Sequence, residues 1–119
     1  MGAKLMKKLS VTIITKNEEK NIARCLESVK WADEIVVLDT NSTDQTVEIC
    51  RKFTDKVFCL DWHGYGKQKN LCAERTSHKW VLNVDSDEVI SSEGAEEIRT
   101  ILRDGSKHPV YQFPRKNFF

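Results

Sequence analysis

The chain has 119 residues, less than one typical domain, so it holds one hydrophobic core or part of one and excludes two full domains. Nineteen Lys and Arg against 18 Asp and Glu give a net charge of +1, and 31% charged with 39% hydrophobic residues is an ordinary globular balance, which excludes a strongly basic nucleic-acid surface. Apolar runs such as Ile35-Val36-Val37-Leu38 fall far short of the about 20 residues that cross a bilayer, and the N-terminus lacks the apolar stretch of a signal peptide, so a cytoplasmic location is expected.

Met1-Gly-Ala-Lys-Leu5, ahead of Met6 and a Lys pair, reads as an appended leader over residues 1–5, with the native sequence from residue 6 to 119. Leu9 to Thr15 is β-branched and apolar without strict alternation, as in a strand buried on both faces of a parallel sheet. A polar stretch follows, and then Ile22, Cys25, Leu26 and Val29 recur at helical spacing, with Asn17 or the residues just after it as cap. Glu34 to Asp39 predicts a second strand, and Val47, Cys50 and Phe53 mark a second helix face, capped by Thr43 or Asp44. Lys56 to Leu60 reads as a short third strand. Beyond a Gly64-Tyr-Gly66 hinge, Lys67 to Thr76 is helix-compatible, and Trp80 to Val84 is a fourth strand. Ser92 to Arg103 forms the last helix, begun by a serine with acids in its first turn, and Val110 to Phe113 opens a fifth strand.

Strands alternating with helices predict an α/β chain, a Rossmann-like three-layer αβα sandwich on a mostly parallel sheet with right-handed crossovers. The end, Pro114-Arg-Lys-Asn-Phe-Phe119, has no closing helix or polar tail, so the chain reads as truncated within a domain. Cys25, Cys50, Cys59 and Cys72 sit singly in apolar segments without C-x-x-C pairing, which reads as reduced, buried thiols. Trp31 and Trp80 read as core residues, and His78 and His108 carry no ligand spacing. Trp62 with His63 reads equally as a wall of a ligand pocket or an anchor of its loop. Arg115, Lys116, Phe118 and Phe119 read as a membrane- or acceptor-facing patch or as an interior edge.

In an open α/β sheet, ligands sit outside the carboxyl ends of the strands. Three such ends here are polar: Thr15-Lys-Asn-Glu18, Asp39-Thr-Asn-Ser-Thr-Asp44 and Asp85-Ser-Asp-Glu88. Clustered carboxylates repel one another unless a cation or hydrogen-bond donors offset them. Asp-x-Asp at a strand end suits Mg²⁺ or Mn²⁺, which take one or two protein carboxylates and complete their shell with phosphate and water. A solvated strand end beside a helix cap is the competing reading of that motif taken alone. Neither G-x-x-x-x-G-K-[ST] nor G-x-G-x-x-G is present, which argues against a P-loop NTPase and a dinucleotide dehydrogenase.

The succession Ser-Val-Thr-Ile-Ile-Thr-Lys-Asn-Glu-Glu, Ile-Val-Val-Leu-Asp39-Thr-Asn-Ser-Thr-Asp-Gln-Thr, Gly-Lys-Gln-Lys-Asn70 and Val-Leu-Asn-Val-Asp85-Ser-Asp87-Glu resembles the inverting family 2 glycosyltransferases of the GT-A fold. The resemblance runs from Leu9 to about Phe119. It is nearest to the bacterial lipopolysaccharide inner-core β-1,4-glucosyltransferases, in which Tyr-x-Phe-Pro-Arg-x-Asn-Phe-Phe is a familiar continuation. It implies that residues 6–119 are the nucleotide-sugar-binding part of such a domain. Asp39 then matches the acid that contacts the base, the loop Thr15, Lys16, Asn17 and Glu18 matches the segment packed on uracil, and Asp85 matches the acid near the ribose. Asp87 matches the metal ligand on the diphosphate. Lys69 takes the basic position of an Arg-Asn pair, where it reaches phosphate or base or stays a solvated lysine. Lys16 stands where many members place an aromatic ring, and Thr40 replaces a second acid.

The implied activity is metal-assisted, inverting transfer of a hexose, expected to be glucose, from a UDP-sugar to a lipopolysaccharide-core or other lipid-linked saccharide. Peripheral contact with the inner face of the cytoplasmic membrane goes with such acceptors. The general base is expected downstream of residue 119, and Glu88 reads as a helix cap or as orienting a metal ligand. Two other functions compete: a receiver-like Mg²⁺-binding signalling module and a nucleotidyltransferase. A receiver carries its paired acids after the first strand, and a nucleotidyltransferase opens with a glycine-rich basic loop there; Thr-Lys-Asn-Glu is neither.

Overall fold

Alternating apolar and small polar side chains set the first strand of the computed structural model, which describes residues 7–104. The leader over 1–5, the fifth strand expected over 110–113, His108 and the basic-aromatic end lie outside those residues. In β1 (Leu9–Thr15), Leu9, Val11 and Ile13 point to one side, while Ser10 and Thr12 alternate with them and are equally buried. A period of two places successive side chains on opposite faces, so the strand is buried on both, and one face carries Ser10 and Thr12 beside Ile14.

Helix α1 (Ile22–Val29) buries Ile22, Cys25, Leu26 and Val29 completely, the stripe its spacing predicts. Each such aliphatic side chain contributes about 1.5–3 kcal/mol by leaving water. The cap residue is Asn21, four positions past Asn17, and it makes no side-chain cap bond. β2 spans Glu34–Asp39, as expected. α2 (Thr46–Cys50) is only five residues long. Phe53, read as part of its face, lies in the following turn, where its N–H meets the Cys50 carbonyl at 2.9 Å. β3 (Val57–Cys59) is shorter than its apolar run. α3 (Tyr65–Ala73) begins two residues before its expected start, so Gly66 belongs to its first turn and Gly64 alone makes the bend. β4 spans Trp80–Asp85 and α4 spans Ser92–Asp104. Ser91 accepts the Gly94 N–H at 2.9 Å and Glu93 sits in the first turn of α4.

All pairings are parallel, in the order β3-β2-β1-β4. Strands are added on one side of β1 up to β3, and the chain then returns to place β4 on the other side. That reversal opens a crevice at the carboxyl ends of β1 and β4. One face of the sheet packs Leu9, Val11, Ile13, Ile35, Val37, Trp80, Leu82 and Val84 against α1, Cys50 of α2, and Ala95, Ile98 and Leu102 of α4. The other packs Val36 and Leu38 against Cys72 of α3, with Phe58 and Leu60 beside them. The result is the expected three-layer αβα arrangement. Trp80 is buried, and Trp31, partly buried, packs against the main core. Cys25, Cys50 and Cys72 are buried, but Cys59, at the end of the short β3, is exposed, a departure that its apolar neighbours in sequence did not signal.

At the amino end of the sheet, Glu34 gathers four donors. Its carboxylate accepts the Ser10 hydroxyl at 2.6 Å, the Ser77 N–H at 2.7 Å and the Ser77 hydroxyl at 2.9 Å, and it pairs with Lys56. Burial pushes this carboxyl up, but the bonds from Lys56, Ser10 and Ser77 together outweigh it and bring it down to about 2.

Candidate functional site

Register places the polar strand ends side by side: Thr15 is level with Asp39, Ile14 with Asp85, and Asp39 with Cys59. Just past the strands, the Thr40 N–H donates to the Thr15 carbonyl and the Leu60 N–H to the Asp39 carbonyl, each at 2.9 Å. The loops after β1 and β2 therefore leave the sheet together.

Those two loops are laced by side-chain to backbone bonds. Asn17 has φ 51° and Asn41 has φ 54°, left-handed conformations that asparagine tolerates better than most residues. The turn at Asn17 lets its Oδ1 accept the Thr43 N–H at 2.8 Å while its own N–H reaches Ser42 Oγ at 2.7 Å. The Glu18 N–H donates to Thr46 Oγ1 at 2.8 Å, and Glu19 Oε1 accepts the Gln45 N–H at 3.0 Å. Glu18 itself accepts from Asn21 at 3.0 Å. Asp39 is 1% exposed, and its two oxygens accept the Ser42 N–H at 2.7 Å and the Ser42 hydroxyl at 2.5 Å. In the free chain Asp39 shapes its loop. Asp44 accepts the Thr46 N–H at 3.0 Å, so it serves the start of α2 although Gln45 is the cap residue. The Thr46 hydroxyl, opposed by slight burial, holds the Asp44 carboxyl below its ordinary value.

Thr15, Asn17, Glu18 and Asp39, singled out from sequence, thus form one body. Asp85 and Lys69 form a second group, joined by a residue that sequence reasoning treated as part of a hinge. Tyr65 donates its hydroxyl to Asp85 Oδ1 at 3.2 Å, and Lys69 Nζ lies 4.7 Å from the Tyr65 ring centroid, within cation–π range. The signal for Tyr65 was its place at the start of α3, facing the fourth strand end. Glu88 accepts the Asp85 N–H and donates its own N–H to the Asp85 carbonyl, each at 2.9 Å, so it orients the acidic turn. Beneath that turn, burial first, then Glu88, then the neighbouring Cys50 and the carboxylates of Asp87 and Asp85 push the Cys25 thiol up to about 12. It stays protonated and donates to the Asp85 carbonyl at 3.4 Å.

Asp87 is exposed in the turn beyond β4, with the half-buried Asp85 two residues before it. Among the described residues, no three His, Cys, Asp or Glu side chains are gathered to hold a metal. Asp85 and Asp87 are hard oxygen donors of this turn, the ligand type that a Mg²⁺-type ion combines with phosphate and water. Beside the first group lies a cleft of about 420 Å³ lined by Ile14, Thr15, Lys16, Thr40 and Trp62.

The sequence model of the family described as glycosyl transferase family 2 matches residues 10–118. An uncharacterized glycosyltransferase of Rickettsia typhi is 47% identical over 98 residues, covering 82% of this chain and 34% of that protein. The lipopolysaccharide core biosynthesis glycosyltransferase LpsC of Rhizobium meliloti is 36% identical over 85 residues, covering 67% of this chain and 32% of its own length. Among solved structures, glucosyl-3-phosphoglycerate synthase of Mycobacterium tuberculosis, in complex with Mg²⁺ and UDP, superposes with a TM-score of 0.67 at 26% identity, covering 87% of this chain and 42% of that one. The chain spans about a third of the length of the first curated relatives it matches.

Proposed function

Because the chain belongs to glycosyl transferase family 2, we propose that it is the donor-binding portion of a metal-assisted, inverting hexosyltransferase that takes its sugar, glucose in our reading, from a UDP-sugar and delivers it to a lipopolysaccharide-core or related lipid-linked saccharide. The observation that carries this reading is the register: Thr15, Asp39 and Asp85 end neighbouring strands at the reversal of strand order, where an open α/β sheet takes its ligand. The UDP and Mg²⁺ bound by the mycobacterial relative support the choice of donor and cation, and the name of LpsC supports the choice of acceptor. Work at the cytoplasmic face of the membrane follows from that acceptor.

In this mechanism, Thr15, Asn17 and Glu18 form the wall beside the base, and Asp39 fixes the loop beneath it through Ser42. Asp85 meets the ribose, steered by Tyr65 and Glu88, and Lys69 turns its ammonium toward phosphate. Asp87, with Asp85, would hold a divalent cation, and the chemistry such an ion would supply there is charge neutralisation at the diphosphate. Inversion also needs a base to take the acceptor's hydroxyl proton, a role we place downstream of residue 119.

The test is calorimetric titration of UDP-glucose and UDP, with Mn²⁺ and with chelator, into native protein and Asp87→Ala. Because Asp87 is exposed, the variant should fold normally. Binding that requires the metal and disappears in Asp87→Ala is the expected result. Binding that ignores both chelator and substitution removes Asp87 from the site, and a folded full-length protein that binds neither ligand overturns the donor reading.

A further inference from the structure

The cleft between the strand ends has an apolar wall and one unsatisfied polar group. Trp62 lines it and is 54% exposed, although burying an indole is among the larger apolar gains open to a side chain. Only Trp62, Tyr65 and Val89 are large hydrophobics left exposed among the described residues. Two of these three adjoin: the Trp62 and Tyr65 ring centroids lie 6.3 Å apart at an interplanar angle of 39°. The loop holding Trp62 is fastened on both sides of it, by Asn41 donating to Asp61 at 2.6 Å and by the His63 N–H donating to Gln68 Oε1 at 3.2 Å. Gln68 is itself fully buried.

On the same cleft, Thr15 is 3% exposed, and its hydroxyl is the one buried side-chain polar atom among the described residues without a hydrogen-bond partner. Buried hydroxyls are nearly always bonded, because an unmade bond there leaves the desolvation cost uncompensated. An exposed indole face and an orphaned hydroxyl on one cleft ask for a flat, heteroaromatic ligand with a polar edge. Lys16, on the same lining, brings an ammonium and no ring.

Resting on the donor reading above, we infer that Trp62 is the stacking residue of the base subsite: the nucleobase of the donor lies against its indole, and a polar edge of the base bonds the Thr15 hydroxyl. Stacking on an aromatic face tolerates any base, so Trp62 supplies affinity and Thr15 supplies the polar discrimination.

The test is titration of UDP and UDP-glucose into the full-length protein, followed by tryptophan fluorescence and by calorimetry, for native, Trp62→Ala, Trp62→Phe and Thr15→Val. Trp62→Ala should weaken UDP by about tenfold or more, the range expected for a lost base stack, and Trp62→Phe should recover most of the loss. UDP should quench the native fluorescence by clearly more than that of Trp62→Ala, since Trp80 is buried and Trp31 packs against the main core. Thr15→Val should weaken UDP without lowering the melting temperature, because the hydroxyl it removes has no partner in the free protein. Unchanged UDP affinity in a folded Trp62→Ala overturns the inference and leaves the donor reading standing. A loss confined to UDP-glucose assigns the ring to the sugar and equally overturns it. If the native protein binds no UDP, the donor reading fails and takes the inference with it.

Discussion

Asn17 Oδ1 accepts the backbone N–H of Thr43 at 2.8 Å, across 26 residues of sequence, and does so from a left-handed backbone with φ 51°. Two contributions are separable there. Asn17→Ala loses the acceptor and keeps an unfavourable φ, at a combined cost of about 2 kcal/mol. Asn17→Gly relieves the backbone and loses only the acceptor, at about 1 kcal/mol. Asn17→Asp keeps the acceptor and should stay nearest to native. Urea denaturation of the three variants checks the order, and equal losses in Ala and Gly would show that φ contributes nothing.

The Glu34 cluster gives a pH dependence. The carboxyl moves from an ordinary 4.5 to about 2 on folding. A folded value below the unfolded one means that the stabilisation is complete above about pH 4.5 and fades as pH falls toward 2. Glu34→Gln should cost about 2 kcal/mol at pH 7, chiefly through the bonds from Ser10 and Ser77. The half-exposed Lys56 adds little, because solvent screens its charge. Denaturation at pH 7, 4 and 3 should show the gap between native and variant closing. A gap independent of pH would assign the effect to packing.

The two described glycines beside Tyr65 should respond oppositely to alanine. Gly64 has φ 98°, and nothing lies within 4 Å of an added Cβ, so Gly64→Ala carries a purely conformational cost of about 1–3 kcal/mol. Gly66 lies within α3 with open space at its Cβ, and alanine there should stabilise by roughly 0.5–1 kcal/mol. Paired thermal melts decide the matter, and a destabilising Gly66→Ala would restore Gly66 to a bending role.

The sequence carried the strands well where apolar runs end in charge. Glu34–Asp39 has its expected limits, and the three polar clusters do follow β1, β2 and β4. That alone brings Thr15, Asp39 and Asp85 to one end of the sheet. Less legible were features made by distant partners. A Gly-Tyr-Gly sequence reads as a turn, and only the contact of Tyr65 with Asp85, 20 residues away, shows it as the start of a helix serving the site. Glu34 looked like the first residue of a strand, since its partners Ser10 and Ser77 lie 24 and 43 residues off. The mixed face of β1 was hidden for a related reason: serine and threonine in an apolar run say nothing of the helix that covers them.

The lacing of the β1–α1 loop to the start of α2 has a kinetic and an entropic side. Asn17, Glu18 and Thr43 donate their N–H groups to side chains of the opposite loop, so these surface amides should exchange with solvent deuterium slowly for a loop. The ordering entropy of that wall is lost when the chain folds, so under the proposed donor reading a nucleotide would have no loop to organise on this side. Through the Glu18 N–H bond to Thr46 Oγ1, the start of α2 is joined to the end of β1 outside the hydrophobic interior.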